Sequence, residues 1–203
     1  MQILILIIVA VIAYLIGSIS FSYVFTKKIK HEDITQKGSG NPGTTNMLRS
    51  YGWALGLLTL LCDLLKGVAA TLIGIYFAGD MGMYIAAIAV IVGHNWSCYL
   101  KFKGGKGIAT TTGVLLVILP LQTVIIFSTC VFIVYLTKIM SIGSLIGLVA
   151  SAVVPFIMFP GNTPLHITVV IIALLGIWSH RENIKRLSEN RENKLHISKK
   201  SKT

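Results

Sequence analysis

The chain has 203 residues, 54% of them hydrophobic and 12% charged, with 18 Lys and Arg against 7 Asp and Glu for a formal charge of +11. Its mean hydropathy is +0.79. Soluble globular domains carry about 25% charged residues, so this composition excludes one and points to a membrane protein whose basic surplus could meet anionic lipid or nucleic acid.

A bilayer-crossing helix needs roughly 20 mostly apolar residues. The first apolar run, 3–25, has no charged residue and no cleavage-site pattern. It exceeds the ~7–15-residue apolar core of a signal peptide, so it is expected to be a retained helix. Further runs cover 51–78, 83–100, 108–119, 123–137, 144–159 and 165–179. Gly79-Asp80, Pro120 and Pro160-Gly161 break them. The expectation is an all-α polytopic protein of seven transmembrane helices. It forms one membrane-embedded domain, 1–180, followed by a basic tail, 181–203.

The loops set its orientation. Segment 26–50, segment 101–107, the single residue Lys138 and the tail together hold seventeen of the eighteen basic residues, Lys66 being the exception. The alternate loops at 79–82, 120–122 and 160–164 hold none. Cytoplasmic loops carry the Lys/Arg excess, so the amino terminus is expected outside and the tail in the cytoplasm. Lys and Arg near an anionic leaflet contribute ~1 kcal/mol each, which reads the tail as a lipid-surface anchor. Cys62, Cys98 and Cys130 lie in apolar runs at spacings that match no metal or disulfide framework. They read as small buried residues.

The unusual polar residues fall on the cytoplasmic side. Gly38-Ser39-Gly40-Asn41-Pro42-Gly43-Thr44-Thr45-Asn46 is glycine-rich enough to turn successive N–H groups toward one point and make an anion-binding nest. Ser39 and Thr44 add hydroxyls, and Arg49 adds a planar fork suited to phosphate. A second loop, Phe102-Lys103-Gly104-Gly105-Lys106-Gly107, runs straight into a helix start. There backbone donors, the helix dipole and an ammonium favour phosphate. The loop lacks the Ser or Thr that follows Gly-Lys in a Walker A loop. His94 and His180 stand at the cytoplasmic ends of two spans. Ser141 and Ser144 open another, Ser144 most simply as an N-cap. Asp63 and Lys66 lie three residues apart within the second span and read as a structural ion pair facing the protein interior.

The remaining carboxylates, Glu32, Asp33, Asp80, Glu182, Glu189 and Glu192, form no sequence cluster of the kind a Mg²⁺-dependent phosphotransferase uses. Confinement of the polar clusters to one face argues against an organic-phosphate transporter. What remains is a basic, cytoplasm-facing pocket in which an acyl chain and a phosphorylated molecule could meet.

At these residues the chain resembles the bacterial acyl-phosphate:glycerol-3-phosphate acyltransferase (PlsY) family. The likeness is carried by Gly17-Ser18-Ile19-Ser20, Ser39-Gly40-Asn41-Pro42-Gly43 through Asn46 and Arg49, and Asp63-x-x-Lys66-Gly67. It continues through Gly93-His94, Phe102-x-Gly104-Gly105-Lys106-Gly107, Ser141-x-Gly143 and His180-x-x-Asn183-Ile184-x-Arg186-Leu187. The resemblance implies transfer of a fatty acyl group from acyl phosphate to the 1-hydroxyl of glycerol 3-phosphate, giving lysophosphatidic acid and phosphate, without a cofactor. It implies that Ser39, Arg49, Lys106, His180 and Asn183 are catalytic. Gly40, Asn41, Gly43, Thr44, Asn46, His94, Gly104, Gly105 and Ser141 would bind substrate. Membrane lipids are the expected surroundings, nucleic acid is not an expected partner, and a functional monomer in the inner membrane is the expectation. Thr44, Ser97 and Ser179 depart from the family pattern, where Ala, Pro and a basic residue are common. The general base is left open between His180 and a substrate phosphate oxygen.

Overall fold

The computed structural model describes residues 1–195, and every regular element among them is helical. In chain order these are α1 (Gln2–Ser18), α2 (Phe21–Phe25) continued by a π-helical turn (Thr26–Lys30), a 3-10 turn (Ile34–Gln36), α3 (Thr44–Tyr51) and α4 (Trp53–Asn95). A 3-10 turn (Cys98–Leu100), α5 (Ile108–Ile118), α6 (Pro120–Thr137), α7 (Met140–Met158), α8 (Thr163–Ser179) and α9 (Arg181–Ser188) complete the order. A helix closes its own backbone hydrogen bonds, as a segment in hydrocarbon must. The side chains are sorted to match: Leu57, Phe132 and Ile157 stand exposed, whereas Thr59 and Thr71 are buried. Each of these threonines donates its hydroxyl to the carbonyl four residues back, at 2.8 Å.

α4 is two helical arms joined at a sharp reversal. Ala78 (φ −146°, ψ 19°) and Gly79 (φ 59°, ψ −147°) leave the helical region. The second of these conformations suits only glycine. The arms on either side fold back on each other. Asp63 and His94 would lie about 46 Å apart along a straight helix, yet their side chains approach to 3.7 Å. Small residues permit the close approach. A Cβ at Gly74 would overlap the Gly82 carbonyl, one at Gly17 the Val90 carbonyl, and one at Gly93 the Tyr14 carbonyl. The core lies along this seam, with Val9 and Ala13 of α1, Ala70, Ala86, Ala87, Val90 and Ile91 of α4, Val114 of α5 and Ile172 of α8. A smaller cluster, Leu115, Leu119, Leu165 and Val169, ties α5 to α8.

Among the described residues, three segments are long and apolar enough to cross a bilayer, Trp53–Leu100, Pro120–Thr137 and Met140–Met158. There are five if two bent pairs, Gln2–Ser18 with Phe21–Lys30 (41°) and Thr163–Ser179 with Arg181–Ser188 (59°), each count as one. The first of the three segments contains the reversal at Ala78-Gly79. α5 has 11 residues and so extends only about 16 Å, short of the ~30 Å hydrocarbon core.

Several expectations need correction. The first run is not one helix: Ile19 is extended (ψ 111°), and Ser20 caps α2 by accepting from the Tyr23 N–H at 3.4 Å. The break frees the Ile19 carbonyl, which accepts from Lys66 Nζ at 2.6 Å while Lys66 pairs with Asp63 at 2.9 Å. A buried ammonium needs several acceptors, and the broken helix supplies one. Segment 26–50, read as a glycine-rich loop, ends within a helix, α3 (Thr44–Tyr51). Ser144 is not an N-cap: α7 begins at Met140, and the Ser144 hydroxyl donates to the Met140 carbonyl at 2.9 Å. Cys62, Cys98 and Cys130 are free and half-buried. Of the basic tail, Lys199, Lys200 and Lys202 lie outside the described residues, while α9 and residues 189–195 pack against the site below.

Candidate active site

The two glycine-rich loops are tied together before either meets the cavity. Asn46, buried in the first turn of α3, accepts from the Ser39 N–H at 3.0 Å through Oδ1. Its amide nitrogen donates to the Lys37 carbonyl at 2.9 Å and the Ile34 carbonyl at 3.4 Å. Asn41 Nδ2 donates across to the Gly104 carbonyl at 3.1 Å. The Gly105 N–H in turn donates to the His94 carbonyl at 3.0 Å, and His94 Nδ1 lies 3.3 Å from the Thr110 hydroxyl. A Cβ at Gly104 or Gly105 would collide with the backbone or the ring of His94. These glycines are therefore needed for close packing of loop on helix.

This arrangement changes where the anion donors lie. The N–H groups of Ser39, Gly40, Gly43 and Gly105 are already used within the loops, the second and third by the Lys37 and Asn41 carbonyls at 2.9 Å. The nest expected of the first loop is committed to its own conformation. Unfilled donors lie at the starts of α3 and α5, which begin after Gly43 and Gly107 with no side-chain cap. Their first-turn N–H groups have no helical acceptor. Both helix starts border one cavity of ≈ 380 Å³.

The cavity has two ends. The polar end is lined by Ser39, Thr44, Arg49, Lys106, Ser141, His180, Asn183, Arg186 and Glu192. The other runs between the first arm of α4, α6 and α7, past Leu57, Leu60, Phe127, Val131, Gly147 and Leu148. Leu57, Phe127 and Val131 are also exposed on the outer helical surface, so this end opens where lipid would lie. At the polar end, Thr44 Oγ1, Arg49 Nε and Ser141 Oγ are buried without a hydrogen-bond partner among the described residues. Buried polar groups left unpaired cost about 1–3 kcal/mol each. Three of them converging on one cavity mark a place for a polar ligand.

Lys106 Nζ is bonded to Asn183 Oδ1. Burial, chiefly, lowers the Lys106 pKa to about 8; Arg186 and Arg49 push the same way, and Glu192 opposes them. Burial likewise lowers His180 to about 4, against the bond to Gly176 and the charge of Glu192 and with that of Lys106. The ring is thus neutral at pH 7. Its Nδ1–H donates to the Gly176 carbonyl at 2.8 Å, which leaves Nε2 as an acceptor. Arg49 is also lowered, first by burial; its NH2 group donates to the Asn193 carbonyl at 3.0 Å.

Of the residues expected to act, Ser39, Asn41, Gly43, Thr44, Asn46, Arg49, His94, Lys106, Ser141, His180 and Asn183 border this cavity. Gly40, Gly104 and Gly105 do not border it, and Asn46 commits its amide to the loop. Asp63 borders it but pairs with Lys66, which stands behind the wall. Sequence reasoning assigned no site role to Arg186, and counted Glu192 only among the scattered carboxylates; both line the cavity. The signals for Arg186 were its place in the His180-x-x-Asn183-Ile184-x-Arg186-Leu187 motif and its spacing three residues after Asn183, on a neighbouring face of α9.

An all-helical protein with three cations and unpartnered hydroxyls at one end of a lipid-open apolar cavity can hold a phosphorylated head group and a hydrocarbon chain side by side. A family model for glycerol-3-phosphate acyltransferase matches residues 7–190. The chain is 47% identical to the glycerol-3-phosphate acyltransferase of Thermoanaerobacter sp. (strain X514), over 92% of this chain and 93% of that one. It is 41% identical to that of Clostridioides difficile (strain 630), over 96% and 98%. The fold superposes with a TM-score of 0.88 and 31% identity on a crystal structure of PlsY (YgiH), an integral membrane glycerol 3-phosphate acyltransferase, in its glycerol 3-phosphate form, covering 94% of this chain and 96% of that one. The lysophosphatidic acid form of the same protein gives 0.86, at the same identity and over 95% of its length. This chain belongs to the glycerol-3-phosphate acyltransferase family, a family of integral membrane enzymes.

Proposed function

We propose that the chain transfers an acyl group from acyl phosphate to the 1-hydroxyl of glycerol 3-phosphate, the first step of phospholipid synthesis, without a cofactor. One observation carries the reading: Thr44 Oγ1, Arg49 Nε and Ser141 Oγ are buried and unpartnered around Lys106, at the polar end of a cavity whose other end is apolar and open to lipid. The solved relative in glycerol 3-phosphate and lysophosphatidic acid forms supports the acceptor and product.

In this reaction the hydroxyl oxygen attacks the acyl carbonyl carbon, the new C–O bond forms, and the bond to phosphate breaks with its electron pair leaving on phosphate. Lys106 and the N-terminal donors of α5 stabilise that growing charge; removing one such donor typically costs ~2.7–4 kcal/mol. Arg49, Ser39 and Asn183 hold the glycerol phosphate with its hydroxyl facing the acyl carbon, and such orientation can supply ~7–11 kcal/mol. His180, at about 4, is a weak base. An effective general base titrates near the working pH, so the hydroxyl proton goes to a substrate phosphate oxygen and His180 Nε2 accepts a hydrogen bond that orients substrate.

The same reading has seven helices entering the membrane, α1, the two arms of α4, and α5 to α8, with α5 crossing only part of the hydrocarbon by itself. The amino terminus is outside and the polar end of the cavity faces the cytoplasm, on the side where the basic loops cluster. Residues 1–180 act as one membrane domain in the bacterial inner membrane, working as a monomer, with 181–203 on the cytoplasmic face. The test gives purified protein radiolabelled glycerol 3-phosphate with acyl phosphate, acyl-CoA or acyl carrier protein as donor. Lysophosphatidic acid formed from acyl phosphate alone, and lost in Lys106→Ala, is the expected result. Product from acyl-CoA at a comparable rate would overturn the donor assignment.

A further inference from the structure

An acidic residue at the cationic end of the cavity lies in the segment that the sequence presents as a basic, lipid-surface tail. After α9 the chain reverses at Asn190 (φ 53°), where the Arg191 N–H donates to the Arg186 carbonyl at 2.8 Å. Residues 191–195 then run back over the cavity mouth. The Asn193 carbonyl accepts from Arg49, and the Leu195 N–H donates to the Lys138 carbonyl at 2.6 Å. This strap buries Glu192, whose side chain is 4% exposed. Its Oε1 accepts from Asn183 Nδ2 at 2.8 Å, and its Oε2 accepts from Arg186 Nε at 2.9 Å.

An asparagine amide has one accepting end and one donating end. With the Lys106 ammonium on one side of Asn183 and the Glu192 carboxylate on the other, only one orientation satisfies both neighbours. Turned over, the amide would present N–H groups to the ammonium and its oxygen to the carboxylate. We propose that Glu192 is a positioning residue of the acyl transfer, fixing the orientation of Asn183 and, through it, the direction in which Lys106 is held. The inference rests on the acyl-transfer reading above. It also gives the strap a function, since removal of residues 191–195 would leave the Asn183 amide free to turn over.

The test is a thermodynamic cycle on the full-length enzyme. Glu192→Ala should lower kcat/KM for glycerol 3-phosphate about 10-fold or more, as expected for a lost bond to a charged group. Glu192→Gln keeps an oxygen facing Asn183 Nδ2 and should stay within about 3-fold of wild type, with Arg186 turning to solvent. In an Asn183→Ala background, Glu192→Ala should add less than about 2-fold, because the group it acts through is gone. A merely structural ion pair predicts instead that the two losses multiply and that Gln fares no better than Ala. Either pattern overturns the proposal, as does a faster Glu192→Ala enzyme, the mark of a carboxylate blocking a phosphate position. Calorimetric titration with glycerol 3-phosphate reads the same contrasts without turnover. A failure of wild-type acyl transfer is therefore distinguishable from a failure at Glu192.

Discussion

The charge state of Lys106 predicts how activity depends on pH. A free lysine titrates near 10.5, but in this site burial, reinforced by Arg186 and Arg49 and opposed by Glu192, brings Lys106 to about 8. The ammonium is the form that stabilises the leaving phosphate, so activity should be lost as pH rises. With a pKa of about 8, roughly nine-tenths of the lysine is charged at pH 7 and about one-tenth at pH 9, a loss of about 10-fold in kcat/KM across that interval. The profile of kcat should fall later, because the anionic substrates favour the charged form once bound. The assay measures initial rates of labelled lysophosphatidic acid formation between pH 7 and 9.5, where a phosphate monoester with a second pKa near 6 is already at least about nine-tenths dianionic, corrected for uncatalysed acyl phosphate hydrolysis. Lys106→Arg supplies the control: guanidinium stays protonated, so whatever activity remains should be flat over the range. A flat wild-type profile, or a limb near pH 8 that persists in Lys106→Arg, would refute the assignment of charge stabilisation to Lys106.

Two further outcomes follow from the geometry. His180→Gln should lose less than about 10-fold in kcat, since a substrate phosphate takes the proton; a loss of ~10²-fold or more would make the imidazole the base after all. Asp63→Asn leaves the Lys66 ammonium buried without its counter-charge, a change that typically costs roughly 3–5 kcal/mol. Its melting temperature in detergent should drop sharply, and Asp63→Asn combined with Lys66→Met should recover much of the loss; equal melting of the single variant and wild type would show the pair to be dispensable.

Much of the architecture was legible because hydrocarbon imposes a blunt rule. Apolar runs marked most of the helices, Gly79 marked the reversal of α4, and Pro120 marked the start of α6. Two of the three cationic members of the site were legible too, since Arg49 and Lys106 stand beside glycine-rich turns whatever the tertiary fold. The break at Ile19 was not legible, because it answers a demand from Lys66, 47 residues away. Asn46 reads in sequence like its neighbours in the loop, and only folding shows its amide committed to Ser39, Ile34 and Lys37.

A surplus of +11 on a chain 54% hydrophobic was enough to determine a membrane protein with its basic residues gathered on alternate loops. Transfer of charge into lipid is costly wherever it occurs along the chain. Which charges serve chemistry was a tertiary decision. Glu192 belongs by sequence to a polar tail, and becomes part of the site only because the chain reverses at Asn190 and sets its carboxylate between Asn183 and Arg186. Local sequence records what a residue can donate or accept; the partner that makes it matter is supplied from elsewhere in the chain.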